Sequence, residues 1–322
     1  MKYYAGIDLG GTFIKCGIVD EEGHILIKEK IPTGREREYV EIARDMAQLA
    51  ADLAKRAGVP AGGLAAAGIG SPGTIDSAKG VIVYNNNIGW KKVPLAAEVK
   101  RHLGVPVYAT NDANAAALGE SFAGTAKKFN SSVFVTLGTG VGGGIVLGGE
   151  LFEGNRSAGA EIGHMVIRVG GERCTCGRKG CFEAYASATA LIRQTRRAME
   201  KDGESALWKI APTLADVDGK TAFDGMRMGD RTAEKVVKNY INYLAEGLTN
   251  LANIFRPDAI VLGGGVCAEG ENLLAPLRRK MNRMLYGGTK YAPVELLAAS
   301  LGNDAGLVGA AHFAQQRQDE EE

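Results

Sequence analysis

Between positions 161 and 183 the chain reads Glu161-Ile162-Gly163-His164 and then Cys174-Thr175-Cys176-Gly177-Arg178-Lys179-Gly180-Cys181-Phe182-Glu183. Three of the five cysteines and one of the four histidines fall in this run. Tetrahedral zinc is commonly held by three thiolates and one imidazole, and these residue types at short loop spacings fit that need. Glu161 and Glu183 carry harder oxygen ligands that are not needed to complete such a shell. They are therefore free to hold something polar nearby.

Other constellations lie at the ends of apolar segments. Asp8-Leu9-Gly10-Gly11-Thr12 leaves the first strand in a turn without bulky side chains. Its glycines let backbone N–H groups approach an anion, Thr12 adds a hydroxyl and Lys15 adds charge. Asp8 could face a phosphate only through a cation such as Mg2+. An ordinary hairpin turn is the alternative, and neither P-loop nor Rossmann spacing is present. Gly138-Thr139-Gly140 is the matching turn farther along. Gly263-Gly264-Gly265 strips side chains from a third strand end, where an adenine or ribose could lie or a helix could pack closely. In Thr110-Asn111-Asp112, Asp112 is placed either as a helix N-cap or as a carboxylate able to accept a proton from a substrate hydroxyl. Asn85-Asn86-Asn87-Ile88-Gly89-Trp90 is either a surface turn or a set of amides suited to neutral hydroxyls. Cys16 and Cys267 read as small hydrophobes, and His24, His102 and His312 have no partner in the sequence.

These residues need elements to position them. Residues 3–8, 13–20 and 24–30 read as a meander of strands, and residues 132–137, 142–147 and 150–152 as another. Apolar strands at 64–69 and 259–262, each ending in glycine, follow in the same order. That repeat in register predicts two lobes of related topology with their glycine turns facing one cleft. Helices are expected over 37–57, 114–122, 186–201 and 232–255, and a frayed polar tail over 315–322. The mixture is that of an α/β protein.

The chain has 322 residues, 45% hydrophobic and 23% charged, with formal net charge +1. That length allows about two domains, and the charge points to neither nucleic acid nor a membrane surface. No apolar run is long enough to cross a bilayer. The N-terminus already reads as a strand, and five cysteines, an odd number and mostly clustered, argue against a disulfide framework, so a reducing cytoplasm is expected. Glycine is in excess, at 45 residues.

Taken together, these motifs resemble the ROK family of bacterial sugar kinases and sugar-responsive repressors, and within it the ATP-dependent glucokinases. The resemblance runs from Asp8 to about Ala311. It rests on Asp8-x-Gly-Gly-Thr12, Gly70-Ser-Pro-Gly73, Asn87-x-x-Trp90, Asn111-Asp112, Gly138-Thr-Gly140, Glu161-x-x-His164, the cysteine block through Glu183, and Gly263-Gly-Gly265. It implies the actin-like, RNase H-like fold: an α/β protein of two lobes with mixed sheets, a small lobe over residues 1–113, a large lobe over 114–302 carrying the zinc loop, and a C-terminal helix over 303–322 returning to the first. It implies phosphorylation of glucose at the 6-hydroxyl, with ATP, Mg2+ and a structural Zn2+. Asp112 would be the general base. Asn87, Asn111, Asp112, Glu161, His164 and Glu183 would hold the sugar. Asp8, Gly10, Gly11, Thr12, Lys15, Thr139 and Gly140 would attend phosphate and Mg2+, and Gly264 the adenosine. His164, Cys174, Cys176 and Cys181 would bind zinc. A homodimer or dimer of dimers is the family's expectation. The sequence departs from many relatives at Asn85-Asn86, where small residues or proline are common, which bears on the rim of the sugar site. The competing readings are a kinase for another hexose (N-acetylmannosamine, N-acetylglucosamine, allose or fructose), a polyphosphate donor, or a repressor. For a repressor, an aspartate loop at residue 8 leaves no room for an N-terminal DNA-binding domain.

Overall fold

The N-terminal apolar run forms β1 (Tyr3–Leu9), which turns back into β2 (Phe13–Asp20) and again into β3 (Ile25–Pro32). The structure, a computed structural model, describes residues 2–85 and 87–321, so Asn86 lies outside the described residues. Helix α1 (Tyr39–Arg56) leads into β4 (Leu64–Ser71). After a small antiparallel sheet of β5 (Thr74–Asp76), β6 (Val81–Asn85) and β7 (Trp90–Val93), α2 (Leu95–Leu103) leads into β8 (Val107–Asn111) and α3 (Asp112–Phe122). The first five-stranded sheet has the order β3-β2-β1-β4-β8, antiparallel on the hairpin side and parallel from β1 to β8.

The second meander supplies β9 (Ser132–Leu137), β10 (Val141–Leu147) and β11 (Glu150–Leu151). Then come α4 (Glu183–Ala186), α5 (Ala188–Met199), α6 (Leu207–Ile210), α7 (Thr221–Arg227), α8 (Arg231–Phe255), β12 (Ala259–Gly263), α9 (Glu271–Met284), β13 (Glu295–Ala298) and α10 (Ala305–Glu321). The second five-stranded sheet runs β11-β10-β9-β12-β13. Strand for strand this is the order of the first sheet, so the repeat inferred from the glycine turns is a repeat of topology. Two mixed sheets of this order are the architecture expected of the actin-like α/β fold.

The chain divides into two compact units, Met1–Phe134 with Gly144–Ala160 and Ala299–Glu322, and Val135–Gly143 with Glu161–Ala298. The sequence suggests a boundary at 113/114 instead. Helix α3 stays with the first unit because α10 packs against it. In that unit the strand alternation sends Ala5, Ile7 and Leu9 of β1 toward Ile42, Met46 and Leu53 of α1, while Tyr4 joins Leu307, Val308 and Ala311 of α10. The close seat of α10 explains part of the glycine excess. Gly17, Gly6 and Gly68 are paired side by side across β2, β1 and β4. A Cβ on Gly6 would stand 2.0 Å from Leu307 O, and one on Gly68 1.8 Å from Ala310 O. Any side chain in that row would lift the helix off the sheet.

Two sequence expectations about helices are corrected. The tail over 315–322 is helical through Glu321, not frayed. It is held by an Arg317–Glu153 ion pair at 2.9 Å and a hydrogen bond from Tyr108 Oη to Glu321 at 2.8 Å. The helix expected over 186–201 begins at Glu183 and breaks at Ser187, whose hydroxyl accepts the Ala190 N–H at 3.0 Å and so caps α5.

Candidate active site

In the first unit, parallel pairing gathers residues far apart in sequence at the carboxyl ends of three strands. Asp8 is opposite Gly70, and Ser71 is opposite Asn111. This edge is where open α/β sheets bind ligands. Asp8 also pairs across the hairpin with Lys15, whose Nζ lies 2.8 Å from its Oδ2. The cation expected beside Asp8 is therefore in part supplied by the protein. The Gly10–Thr12 turn is tight: the Gly10 N–H donates to Phe13 O at 3.0 Å, and Thr33 fastens it through Gly10 O and Thr12 O at 2.7 and 2.9 Å. The Gly10 N–H is thus committed to the turn itself. A Cβ on Gly11 would stand 3.6 Å from Asn87 Cβ, so this turn and the Asn87 loop adjoin. Thr12 and Asn87 are exposed.

The helix cap is Asn111, not Asp112. Asn111 Oδ1 accepts the Ala113 and Asn114 N–H groups at 2.9 and 3.4 Å, and its Nδ2 donates to Gly73 O at 3.0 Å. One amide hydrogen of Asn111 then remains for a ligand. Asp112 is the first residue of α3, half-buried, and its Oδ1 accepts the Ala113 N–H at 2.9 Å. Capping is thus taken by its neighbour.

Asn85 has a role the sequence hides. It is fully buried, and its Oδ1 accepts the N–H groups of Asn87 and Ile88 at 2.9 and 3.2 Å. It shapes the loop from beneath. Ser71, buried 3.4 Å from Asn85 Nδ2, belongs to the same network. Farther along this unit, the stretch before Glu161 is strained: Arg156, Ser157 and Ala160 have φ of 51°, 56° and 60°.

In the second unit the four metal-type residues converge. The ligand atoms of His164, Cys174, Cys176 and Cys181 lie within 4.8 Å of one another. Cys176 Sγ and Cys181 Sγ are 3.7 Å apart, and Cys174 Sγ is 3.6 Å from His164 Nδ1. Donors about 2.0–2.3 Å from a tetrahedral zinc stand roughly 3.5–3.8 Å from one another, so the donor set fits such an ion. A backbone ladder frames the loop: Cys174 N–H donates to Arg178 O at 2.9 Å, Phe182 N–H to Met165 O at 2.7 Å, and Val166 bridges Cys181. Burial pushes the Cys181 thiol up to about 12, while the Arg178 backbone N–H draws the exposed Cys176 thiol below its ordinary value. With Nδ1 turned to the thiols, Nε2 is the ring nitrogen of His164 left for another partner.

Glu183, the first residue of α4, joins this loop to the second glycine turn. Its Oε2 accepts the Val141 N–H at 3.1 Å, and its Oε1 accepts the Thr175 hydroxyl at 3.2 Å with Cys174 Sγ at 3.6 Å. Gly140 has no side chain because a Cβ there would stand 2.3 Å from Glu183 Oε2. Thr139 is exposed at the tip of the turn. Gly264, at φ 93°, lies against the end of β9, where a Cβ would meet Leu137 O at 2.4 Å. Of the three glycines that follow Val261-Leu262, Gly264 thus serves a close strand-end contact beside the Gly138 turn. Glu161 is exposed, one turn of 3-10 helix before His164.

Against known proteins, the model of the ROK family matches residues 4–317. A glucokinase of Thermotoga maritima is 37% identical over 316 residues, 97% of each chain. Among solved structures, a ROK family glucokinase from Streptomyces griseus in complex with glucose and AMPPNP is 37% identical with a TM-score of 0.79, covering 98% of this chain and 99% of that one. A ROK hexokinase from Thermus thermophilus is 37% identical with a TM-score of 0.85, covering 99% of each.

Proposed function

The chain belongs to the ROK family, and on that premise we propose that it is an ATP-dependent glucokinase, converting glucose and ATP to glucose 6-phosphate and ADP. The observation that carries this reading is the end-to-end likeness to glucokinases at 37% identity. In the reading, the Asp112 carboxylate takes the proton of the sugar 6-hydroxyl as that oxygen bonds to the γ-phosphorus. The bond from the γ-phosphorus to the bridging oxygen breaks, and ADP leaves. A loose phosphoryl transition state asks for little beyond such an acceptor, alignment and charge neutralisation.

The other roles follow from chemistry. Asn87, the remaining amide hydrogen of Asn111, Glu161, His164 through Nε2, and Glu183 offer donors and acceptors to the sugar hydroxyls. The turns at Gly10-Gly11-Thr12 and Thr139-Gly140 suit phosphates, with Lys15 and Asp8 beside the first and Gly264 near the adenosine. Asp8, with the nucleotide, would hold Mg2+, which would neutralise the charge of the transferred phosphate. His164, Cys174, Cys176 and Cys181 would hold zinc, which would stiffen the loop and fix the His164 tautomer. We assign the first unit to the N-terminal lobe of the kinase and the second to the lobe that carries the zinc loop.

The test is a coupled assay of the purified protein over glucose, fructose, allose, N-acetylglucosamine and N-acetylmannosamine, each with ATP or polyphosphate. Glucose with ATP is expected to give the highest kcat/KM. A higher value for another sugar or for polyphosphate replaces this reading by that one.

A further inference from the structure

A cavity of about 670 Å3 lies in the second unit beside α4. Ala184 and Tyr185 of α4 line it, whereas Glu183 of the same short helix reaches the Val141 N–H. Its charge is one-sided. Five cations, Arg168, Arg193, Arg197, Lys201 and Lys235, stand against the two carboxylates of Glu172 and Asp202.

Both carboxylates already have partners. Glu172 takes Arg197 through two hydrogen bonds at 2.6 and 3.3 Å, and Asp202 accepts the Thr232 hydroxyl at 2.6 Å. Among the described residues, Arg168, Arg193, Lys201 and Lys235 form no ion pair. Arg193 donates through Nη2 to Ala184 O, but its Nε is buried with no acceptor. Arg168 is steadied by Tyr243 Oη at 3.1 Å, and the Tyr185 and Tyr243 rings, 4.5 Å between centroids, form a flat apolar wall.

We infer that this cavity is a binding site, separate from the reaction site, for a phosphate monoester. Guanidinium forks with further lysines match a phosphate dianion better than a single carboxylate. The volume far exceeds that of an inorganic ion and leaves room for an organic body against the tyrosines. The position gives binding a consequence. The Glu172 N–H donates to Tyr185 Oη at 2.6 Å, the Gly180 N–H to Glu172 O at 2.8 Å, and the Ile167 N–H to Gly180 O at 2.9 Å. The cavity wall is therefore the reverse face of the cysteine loop and of α4, and an occupant biases the loop that carries His164 and Glu183. The site is regulatory.

Calorimetric titration of the metal-loaded protein, with glucose and a non-hydrolysable ATP analogue saturating, would use inorganic phosphate, glucose 6-phosphate and AMP as separate probes. At least one organic phosphate is expected to bind with submillimolar affinity, and its identity separates sugar from nucleotide sources. Arg193→Met should weaken that binding at least tenfold. Lys201→Gln with Lys235→Gln, both at exposed positions and safe for folding, should weaken it severalfold. Turnover without added phosphate should be unchanged in the lysine variant. Absence of binding by every organic phosphate, or equal affinity in both variants and the parent, overturns the inference.

Discussion

The Glu183 carboxylate accepts the backbone N–H of Val141 at 3.1 Å, and through that bond the cysteine loop and the glycine turn at Gly138–Gly140 share one side chain. A residue assigned to the sugar is thus also a brace for the turn assigned to phosphate.

If both duties are real, Glu183→Gln should raise KM for glucose and for ATP together. A glutamine can accept through one oxygen only, so one of the Val141 and Thr175 bonds must fail. Losing a charge-assisted hydrogen bond costs about 1.5–3 kcal/mol, or roughly tenfold to a hundredfold in kcat/KM. Gly140→Ala should act in the same direction, since its Cβ collides with Glu183 Oε2. Steady-state kinetics with each substrate varied decides it. A rise confined to glucose KM in Glu183→Gln would dismiss the bracing role.

Asp112→Asn separates chemistry from architecture. Because Asn111 provides the cap of α3, the substitution leaves the helix start intact, and stability should change by no more than about 1 kcal/mol, the scale of a charge in the first turn. Removal of the proton acceptor should lower kcat by about 10²–10⁴ with glucose still bound. Glucose affinity from quenching of intrinsic fluorescence, beside kcat from the coupled assay, checks both halves. A variant with near-parental kcat removes Asp112 from the role of base.

Cys176 is the exposed member of the metal cluster, so its replacement by Ser leaves no cavity and any loss of stability reports on the metal. The variant should purify with little zinc, and chelator, expected to lower the Tm of the parent, should leave that of the variant largely unchanged. Glucose KM should rise, because the loop loses the metal that fixes the His164 ring. Elemental analysis with thermal unfolding, with and without chelator, reads this out. Full activity in zinc-free protein would show that the backbone ladder alone holds the loop.

How much of this was legible in the sequence depended on the range of the interaction. The repeat of strand order could be read because each glycine turn is local, and the same holds for the cysteine cluster, whose ligands lie within one short loop. What stayed hidden was tertiary. Whether Asn111 or Asp112 caps α3 turns on one dihedral at the strand end. Asn85 looks like a surface amide beside two others, yet it is buried because β6 ends there and its carbonyl oxygen closes the next turn. The polar composition of residues 315–322 suggests fraying, but Glu153 and Tyr108, remote in sequence, provide the partners that keep α10 helical through Glu321. The glycine row under α10 could not be recognised before the registers of three strands were known.

His312 on that helix gives stability a dependence on pH. Its ring stacks on Phe122 at 3.8 Å, and Nδ1 lies 3.1 Å from Gln315 Oε1. Burial pulls its pKa below the usual 6.5, outweighing the opposing pull of Gln315 and Asp319. The folded protein therefore holds the ring neutral where the unfolded chain binds a proton. Between the lowered folded value and about 6.5, the unfolded state carries more protons, so stability rises with pH. The full contribution is present above about pH 6.5, and it is lost as pH falls through the window below. His312→Phe preserves the stacking and removes the titration, so its urea midpoint should fall less than the parent's between pH 7.5 and 5.5. Parallel midpoints for parent and variant across that range would show that the ring does not titrate differently on unfolding.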